Sequence, residues 1–281
     1  EPVIYKTLTD DVLPAEIVLR IRQRQHFLIQ QSFKRALETE RLIGLLNEHS
    51  IKCIPYKGAV LSKELYGDII SRESSDIDLV IEPSDFDQVL TLMTGDGYLF
   101  ESKLEYDFYK EDLFTKRKDV SFNKFDGDVR AFHIEFHWQI SDGANQIDDS
   151  VRSLLYQTDS KAVLVKRDLE VLNINAHYAA VFIHHSMNDG LSILRNLIDI
   201  GMITKINNAD IDHALIQRTL SGFHFNNAIA VCSYLSEELL GVKLPFSTIN
   251  TSIVLSIKTF FVDQLLQKEK VGKRFEVALF Y

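Results

Sequence analysis

Apolar residues recur at helical spacing from the start of the chain. Ile17, Ile21, Leu28, Leu42, Leu45 and Leu46 form one stripe, and Pro14 suits a first helical position, so the pattern predicts a helix over 14–48. The period then shortens. Ile51-Lys52-Cys53-Ile54 reads as a strand, and Ala59–Tyr66, opened by Gly58, as a short helix. A loop over 67–75 leads into a second strand, Asp76–Ile81, in which Ile77, Leu79 and Ile81 alternate with Asp76 and Asp78. Alternation sends the apolar side chains into a core and sets the two carboxylates on the opposite face. Ser84 is a candidate cap for a helix running to about Met93, stopped by Gly95 and Gly97.

Further along, the period is two. Val120–Phe125 and Val129–Ile140 flank Asp126-Gly127, a hairpin signature. In the second of these strands His133, Glu135 and His137 share one face, and Ile134, Phe136 and Trp138 the other. From about Ile147 the pattern is helical. Asn175 is expected to cap a helix through Met187, Asp189-Gly190 to break it, and further helices fall near 211–221, 224–240 and 250–270. The expected organisation is an N-terminal helical segment (1–50), a mixed core (51–145) and a C-terminal helical domain (146–281), an α+β chain without internal repeats.

Composition narrows the partners. The chain has 281 residues, 46% of them hydrophobic, enough for one large packed domain or two ordinary ones. With 31 basic and 40 acidic residues the formal charge is −9, opposite to the basic footprint of a nucleic-acid binder. A nucleic-acid partner is therefore not expected, although the charge balance still allows a local basic pocket for a nucleotide. Cys53 and Cys232 are far apart and read as buried thiols. No apolar run reaches the roughly 18 residues of a membrane span, and no secretory signal is evident. A cytoplasmic protein without membrane contact is expected. The start at Glu1 and the abrupt end at Phe280-Tyr281 predict a longer natural protein.

The chemistry concentrates around Asp76 and Asp78. Two carboxylates side by side repel unless a cation lies between them, and the simplest is a hard divalent ion, Mg²⁺ or Mn²⁺, which usually takes one or two carboxylates plus substrate phosphates. The competing reading is a pair of exposed polar residues on an edge strand, although Asp is disfavoured in strands. Gly58 lets backbone amides approach a phosphate, and the helix start after it attracts anions. Lys57 and Arg72 are candidate phosphate partners or else solvated surface charges. Ser75 is a candidate at the same turn, or a residue that only bonds its neighbours. His137 bonds a carboxylate, contacts substrate or serves structure alone. His184, His185, Arg195 and Asp199 are candidates to line a far wall of the cleft, with an Arg195–Asp199 helical ion pair as the alternative. Zinc is disfavoured at the histidines, since neighbours on a helix diverge and no cysteine pair accompanies them.

These motifs resemble a family. Tyr56-Lys57-Gly58-Ala59-Val60-Leu61, Leu65-Tyr66, Arg72 through Val80, Gly97-Tyr98, Glu135-Phe136-His137-Trp138, His184-His185 and Leu194–Asp199 together look like the uncharacterised bacterial nucleotidyltransferases of the DNA polymerase β-like superfamily. The resemblance covers roughly residues 40 to 200. It implies a mixed sheet flanked by helices, with Asp76, Asp78 and Glu135 as catalytic, metal-binding carboxylates. Two metal ions stabilise the attacking and leaving oxygens in such sites. It further implies a nucleoside triphosphate held near Lys57, Gly58, Ala59, Arg72, Ser75, His137, His185 and Arg195. The reaction implied is transfer of a nucleoside monophosphate to a small-molecule, peptide or protein acceptor. Gly58-Ala59 departs from the Gly-Ser of the wider superfamily and loses a hydroxyl for the terminal phosphate. A non-catalytic nucleotide-binding or regulatory module, and a metal-dependent phosphohydrolase or phosphotransferase using the same carboxylates, are the alternatives.

Overall fold

The computed structural model describes residues 14–142, 153–158, 160–191, 193–207, 209–221 and 226–246. The described residues within Glu1–Asp142 and Tyr156–Asn173 form one compact unit, and those within Gly143–Leu155 and Ile174–Tyr281 a second.

The first unit begins with α1 (Ala15–Glu48). Its apolar stripe is buried only from Leu28 onward; Ile17 and Leu19 are exposed. The central sheet contains β1 (Ile54–Pro55), β2 (Ile77–Val80), β3 (Leu99–Phe100), β4 (Asp119–Asp126) and β5 (Val129–His137), in the order β1-β2-β5-β4-β3. β1 is a two-residue edge strand, where Pro55 costs no ladder donor. α2 (Gly58–Tyr66) follows it directly.

β2 and β5 run parallel, with Ile77 opposite Ile134, Asp78 opposite Glu135 and Leu79 opposite Phe136. β4 runs antiparallel to β5, setting Ser121 opposite Glu135 and Asp119 opposite His137. Residues opposite one another share a face. One face therefore carries Ile77, Leu79, Ile134, Phe136, Val120 and Phe122, all in the main core. The other carries Asp78, Glu135, His137 and Asp119. The core face is covered by α3 (Phe86–Gly95), whose Phe86, Val89 and Met93 are fully buried. The Phe86 ring meets the Trp138 ring at 6.0 Å between centroids, edge to face.

Several sequence expectations need correction. Ser84 caps nothing: it sits in a single 3₁₀ turn, Pro83–Asp85, before α3. α4 (Lys103–Lys116) is not apparent from the pattern, because it buries only Leu113 and so has no apolar stripe. The segment after 147 is not purely helical either. β6 (Ser160–Val163) and β7 (Asp168–Val171) form a hairpin in the first unit. The Glu40 carboxylate of α1 accepts backbone N–H bonds from Val165, Lys166 and Arg167 at 2.8, 2.8 and 3.0 Å, fastening the hairpin turn.

The second unit contains α5 (Ile174–Ile183), a π-helical turn over His184–Asn188, α6 (Leu194–Asn207), α7 (His213–Ser221) and α8 (Asn226–Leu240). Asn175 lies inside α5 rather than capping it, and its side chain accepts from the Asp212 N–H at 2.7 Å. Leu197 of α6 packs with Val231 and Leu235 of α8. The helix expected near 250–270 lies outside the described residues. Cys53 and Cys232 are both buried free thiols, whose pKa values burial pushes up.

Candidate active site

The site is built where β1 turns into α2. Lys57 and Gly58 both take positive φ, +54° and +46°. A lysine at φ 54°, ψ −148° lies in backbone territory that glycine normally occupies, at a cost of about 1–3 kcal/mol that surrounding contacts must hold in place. A Cβ on Gly58 would come no closer than 3.7 Å to Ser74 Oγ and 3.8 Å to the Asp76 carbonyl. The glycine is therefore required by its φ, not by crowding. The Lys57 carbonyl accepts from Leu61 N–H at 2.9 Å and starts the helix.

The Lys57 side chain runs over the Tyr56 ring to Asp78, placing Nζ 2.7 Å from Oδ1. Both side chains are nearly inaccessible, 7% and 2% exposed. Asp78 Oδ1 also meets His137 Nε2 at 3.2 Å, and the same nitrogen lies 3.3 Å from Glu135 Oε2. Glu135 Oε1 is 3.5 Å from His133 Nε2. On its other side, the His137 ring faces Tyr56 Oη at 3.3 Å and Asp119 Oδ2 at 3.5 Å.

Burial alone would raise the pKa of Asp78, but Lys57 and His137 outweigh it and hold the carboxyl well below its usual range. Glu135 is likewise depressed: burial is outweighed by bonds from His133 and His137. The bases move the opposite way. Burial opposes the charge on Lys57 and on His137, yet the surrounding carboxylates raise both. Two carboxylates that strand pairing sets in register are thus favoured in their ionised form by buried basic groups.

Next to Asp78 opens a narrow cleft lined by Arg35, Lys57, Gly58, Arg72, Asp76 and Asp78 among others. Asp76 precedes β2, and its two oxygens accept from Ser74 Oγ at 2.9 Å and Ser75 Oγ at 3.2 Å. Strand alternation therefore does not govern its direction. The tight group of metal-ligating types is Asp78, Glu135 and His137, with donor atoms within 4.8 Å of one another, and Asp76 is not part of it. Arg72 and Ala59 line the cleft, whereas His137 is completely buried behind the carboxylates.

Arg35 was not legible as a site residue. Its Nε is buried and without a hydrogen-bond partner among the described residues. Burial lowers its pKa, opposed by the charges of Asp76 and Glu73. Its one sequence signal is a basic residue one position before the buried Ala36, on a helix whose other arginines are more exposed.

His185 and Arg195 lie in the second unit. His185 Nε2 is 2.9 Å from Asp199 Oδ2, and its Nδ1 is 3.3 Å from Asp189 Oδ2. Burial would raise the Asp189 pKa, but bonds from His184 and His185 hold it well below the usual carboxylate range.

A family model described as uncharacterised nucleotidyltransferase matches residues 2–241. The chain belongs to that family. The nucleotidyltransferase family spans both units, from before α1 to the end of α8. Among solved structures, the antibiotic-resistance factor ANT(2'')-Ia is similar at 11% identity and a TM-score of 0.43, covering 71% of this chain and 93% of that one. An antigenic nucleotidyltransferase-like protein from Paracoccidioides brasiliensis is similar at 12% identity and a TM-score of 0.44, covering 79% of this chain and 95% of that one. No curated protein matches the sequence. Among the described residues no helix is long and apolar enough to cross a membrane.

Proposed function

We propose that this family member moves a nucleoside monophosphate from a nucleoside triphosphate to an acceptor hydroxyl on a small molecule, peptide or protein. The observation that supports the reading is the in-register pair Asp78 and Glu135, of which Asp78 lines a cleft that also presents Gly58, Arg35 and Arg72. The two carboxylates, with Asp76 on the cleft wall, suit a hard divalent ion such as Mg²⁺ in donor type. When bound, such an ion supplies charge stabilisation for the oxygens at the reacting phosphorus.

The chain's own residues do the rest. The positive-φ turn at Lys57-Gly58 and the α2 N-terminus receive phosphate oxygens. Arg35 and Arg72 neutralise the triphosphate from the cleft walls. Ser74 and Ser75 aim Asp76. His137 keeps Asp78 and Glu135 ionised and in place, and Lys57 does the same for Asp78. In the reaction the acceptor hydroxyl gives up its proton to solvent as its oxygen bonds to the α-phosphorus, the bond from that phosphorus to the bridging oxygen breaks, and pyrophosphate leaves with the electron pair. Glu135 is the acceptor-side carboxylate.

One observation favours a second reading. Lys57 already neutralises Asp78 at 2.7 Å, as it would in a non-catalytic nucleotide-binding module. Labelled triphosphates separate the two. With α-³²P-NTP the enzyme labels its acceptor in a cell extract, and with γ-³²P-NTP it does not. Label retained from the γ position would make the protein a phosphoryl transferase. No label from any NTP, with binding intact, would make it a binding module.

A further inference from the structure

A second cluster of ligand-bearing side chains lies in the second unit. His184, His185 and Asp189 bring three donor atoms within 4.8 Å of one another. Both histidines turn Nδ1 toward the same oxygen: His184 Nδ1 and His185 Nδ1 each lie 3.3 Å from Asp189 Oδ2. On a regular α-helix adjacent side chains diverge by about 100°; His185 and Asp189 stand at the favourable i,i+4 spacing, but His184 stands five residues before Asp189. His184–Asn188 form a π-helical turn, closed by the Asp189 N–H to the His184 carbonyl at 3.0 Å, that brings His184 to Asp189; such turns are rare and frequent at functional sites. Helical divergence therefore does not keep the two imidazoles apart here, although among the described residues no cysteine joins them.

Two further observations point to a ligand. First, bonds of about 2.0–2.1 Å to a tetrahedral ion set ligand atoms about 3.3 Å apart, the separation of both Nδ1 atoms from Oδ2. Second, His185 has the supporting partner that a metal-bound imidazole needs. Its Nε2 is 2.9 Å from Asp199 Oδ2, with side chains 3% and 0% exposed. An Nε2–H donated to that carboxylate leaves the Nδ1 lone pair facing the cluster, as in a carboxylate–histidine–metal arrangement. Asn196 Nδ2 donates to Asp189 Oδ2 at 3.0 Å and fixes that ligand too, while Asn196 Oδ1 is buried without a hydrogen-bond partner among the described residues. Asp189 is 35% exposed, which leaves an entry path and a position for water.

We propose that His184, His185 and Asp189 form a binding site for a borderline divalent transition ion of the zinc class, held through His184 Nδ1, His185 Nδ1 and Asp189 Oδ2, with Asp199 and Asn196 positioning the ligands. Two imidazole nitrogens and one carboxylate suit such an ion rather than Mg²⁺, which takes oxygen ligands. The site is independent of the nucleotidyl-transfer reading, because it shares no residue with the carboxylate pair.

The test uses the full chain, free of any purification tag, carrying Asp78→Asn and Glu135→Gln so that the carboxylate site does not contribute. After chelation, the protein is equilibrated with Co²⁺ or Zn²⁺ and passed through a desalting column. One ion per chain is expected, with the intense visible absorption of tetrahedral Co²⁺. Adding His184→Gln or Asp189→Asn, both at partly accessible positions, should weaken binding by more than about tenfold. Helical circular dichroism should stay unchanged, which separates loss of ligands from loss of fold. No retained ion, or retention unaffected by both substitutions, would overturn the proposal.

Discussion

Replacing Lys57 by Met is the sharpest probe of how the site is held together. Methionine keeps most of the aliphatic stem over the Tyr56 ring but deletes the ammonium 2.7 Å from Asp78. With Asp78 only 2% exposed, its carboxylate cannot turn to water for compensation. Removing one partner of a buried ion pair typically costs about 3–5 kcal/mol. His137 remains 3.2 Å from the same oxygen and carries part of the charge, which places the loss near the lower end, about 3 kcal/mol. The assay is urea unfolding followed by fluorescence of Trp138, the single tryptophan of the chain, which is buried in the core of the first unit. Lys57→Met should lower the midpoint at unchanged slope. Adding Asp78→Asn should recover part of the loss, because the uncompensated charge disappears, with a coupling of about 0.5–3 kcal/mol between the two positions. If a divalent ion takes the place the ammonium leaves, Mn²⁺ at a hundred times its dissociation constant should return about 2.7 kcal/mol to the variant. A loss below about 1 kcal/mol, the size expected of a solvent-exposed pair, would refute the reasoning, as would additive substitutions.

Arg35→Ala should weaken NTP binding about 10- to 100-fold, the value of one or two charge-assisted bonds to phosphate, while leaving the urea midpoint nearly unchanged; titration calorimetry measures it, and unchanged affinity would remove Arg35 from the phosphate site. Glu40→Gln should cost about 1–2 kcal/mol at neutral pH by weakening three backbone bonds to the β6–β7 turn. Burial would raise the Glu40 pKa, but the three N–H bonds outweigh it and leave it depressed in the folded protein. A depressed carboxyl contributes stability above its unfolded pKa of about 4.3 and loses it as pH falls through the folded value. The gap between wild type and Glu40→Gln should therefore be flat from pH 7 to about 5 and close below about 4. A gap that widens on acidification would contradict this assignment.

The strands were legible because their chemistry repeats every second residue. Ile77, Leu79 and Ile81 against Asp78, and Ile134, Phe136 and Trp138 against Glu135 and His137, announce which face meets the core. What such spacing does not contain is register. That Asp78 lies opposite Glu135 follows from parallel pairing of strands 57 residues apart, closed by α3, β3, α4 and β4 between them. The Lys57–Asp78 contact was hidden for a similar reason: it depends on a positive φ at a lysine, which no local preference predicts. Arg35 reaches the cleft from a long helix whose pattern records only apolar burial. α4 escaped notice because its apolar residues, Leu104, Tyr106, Phe108, Leu113 and Phe114 among them, are spread around the helix rather than gathered on one face, and β6 and β7 because four-residue strands are too short to show a period. The His184-His185 pair was visible as residues, but its convergence depends on a π-helical turn.

Label transfer measured on carboxylate variants tests the central claim most directly. Purified wild type, Asp78→Asn and Glu135→Gln, each shown to be folded by Trp138 fluorescence, are incubated with α-³²P-NTP, Mg²⁺ and a cell extract supplying the acceptor. Wild type should transfer label, and both variants should lose it by about 10³-fold or more, since charge developing on the oxygens in flight depends on these carboxylates more than the ground state does. Glu135→Gln should keep NTP binding closer to wild type than Asp78→Asn. Label transfer that survives in both variants would contradict a reaction centred on Asp78 and Glu135.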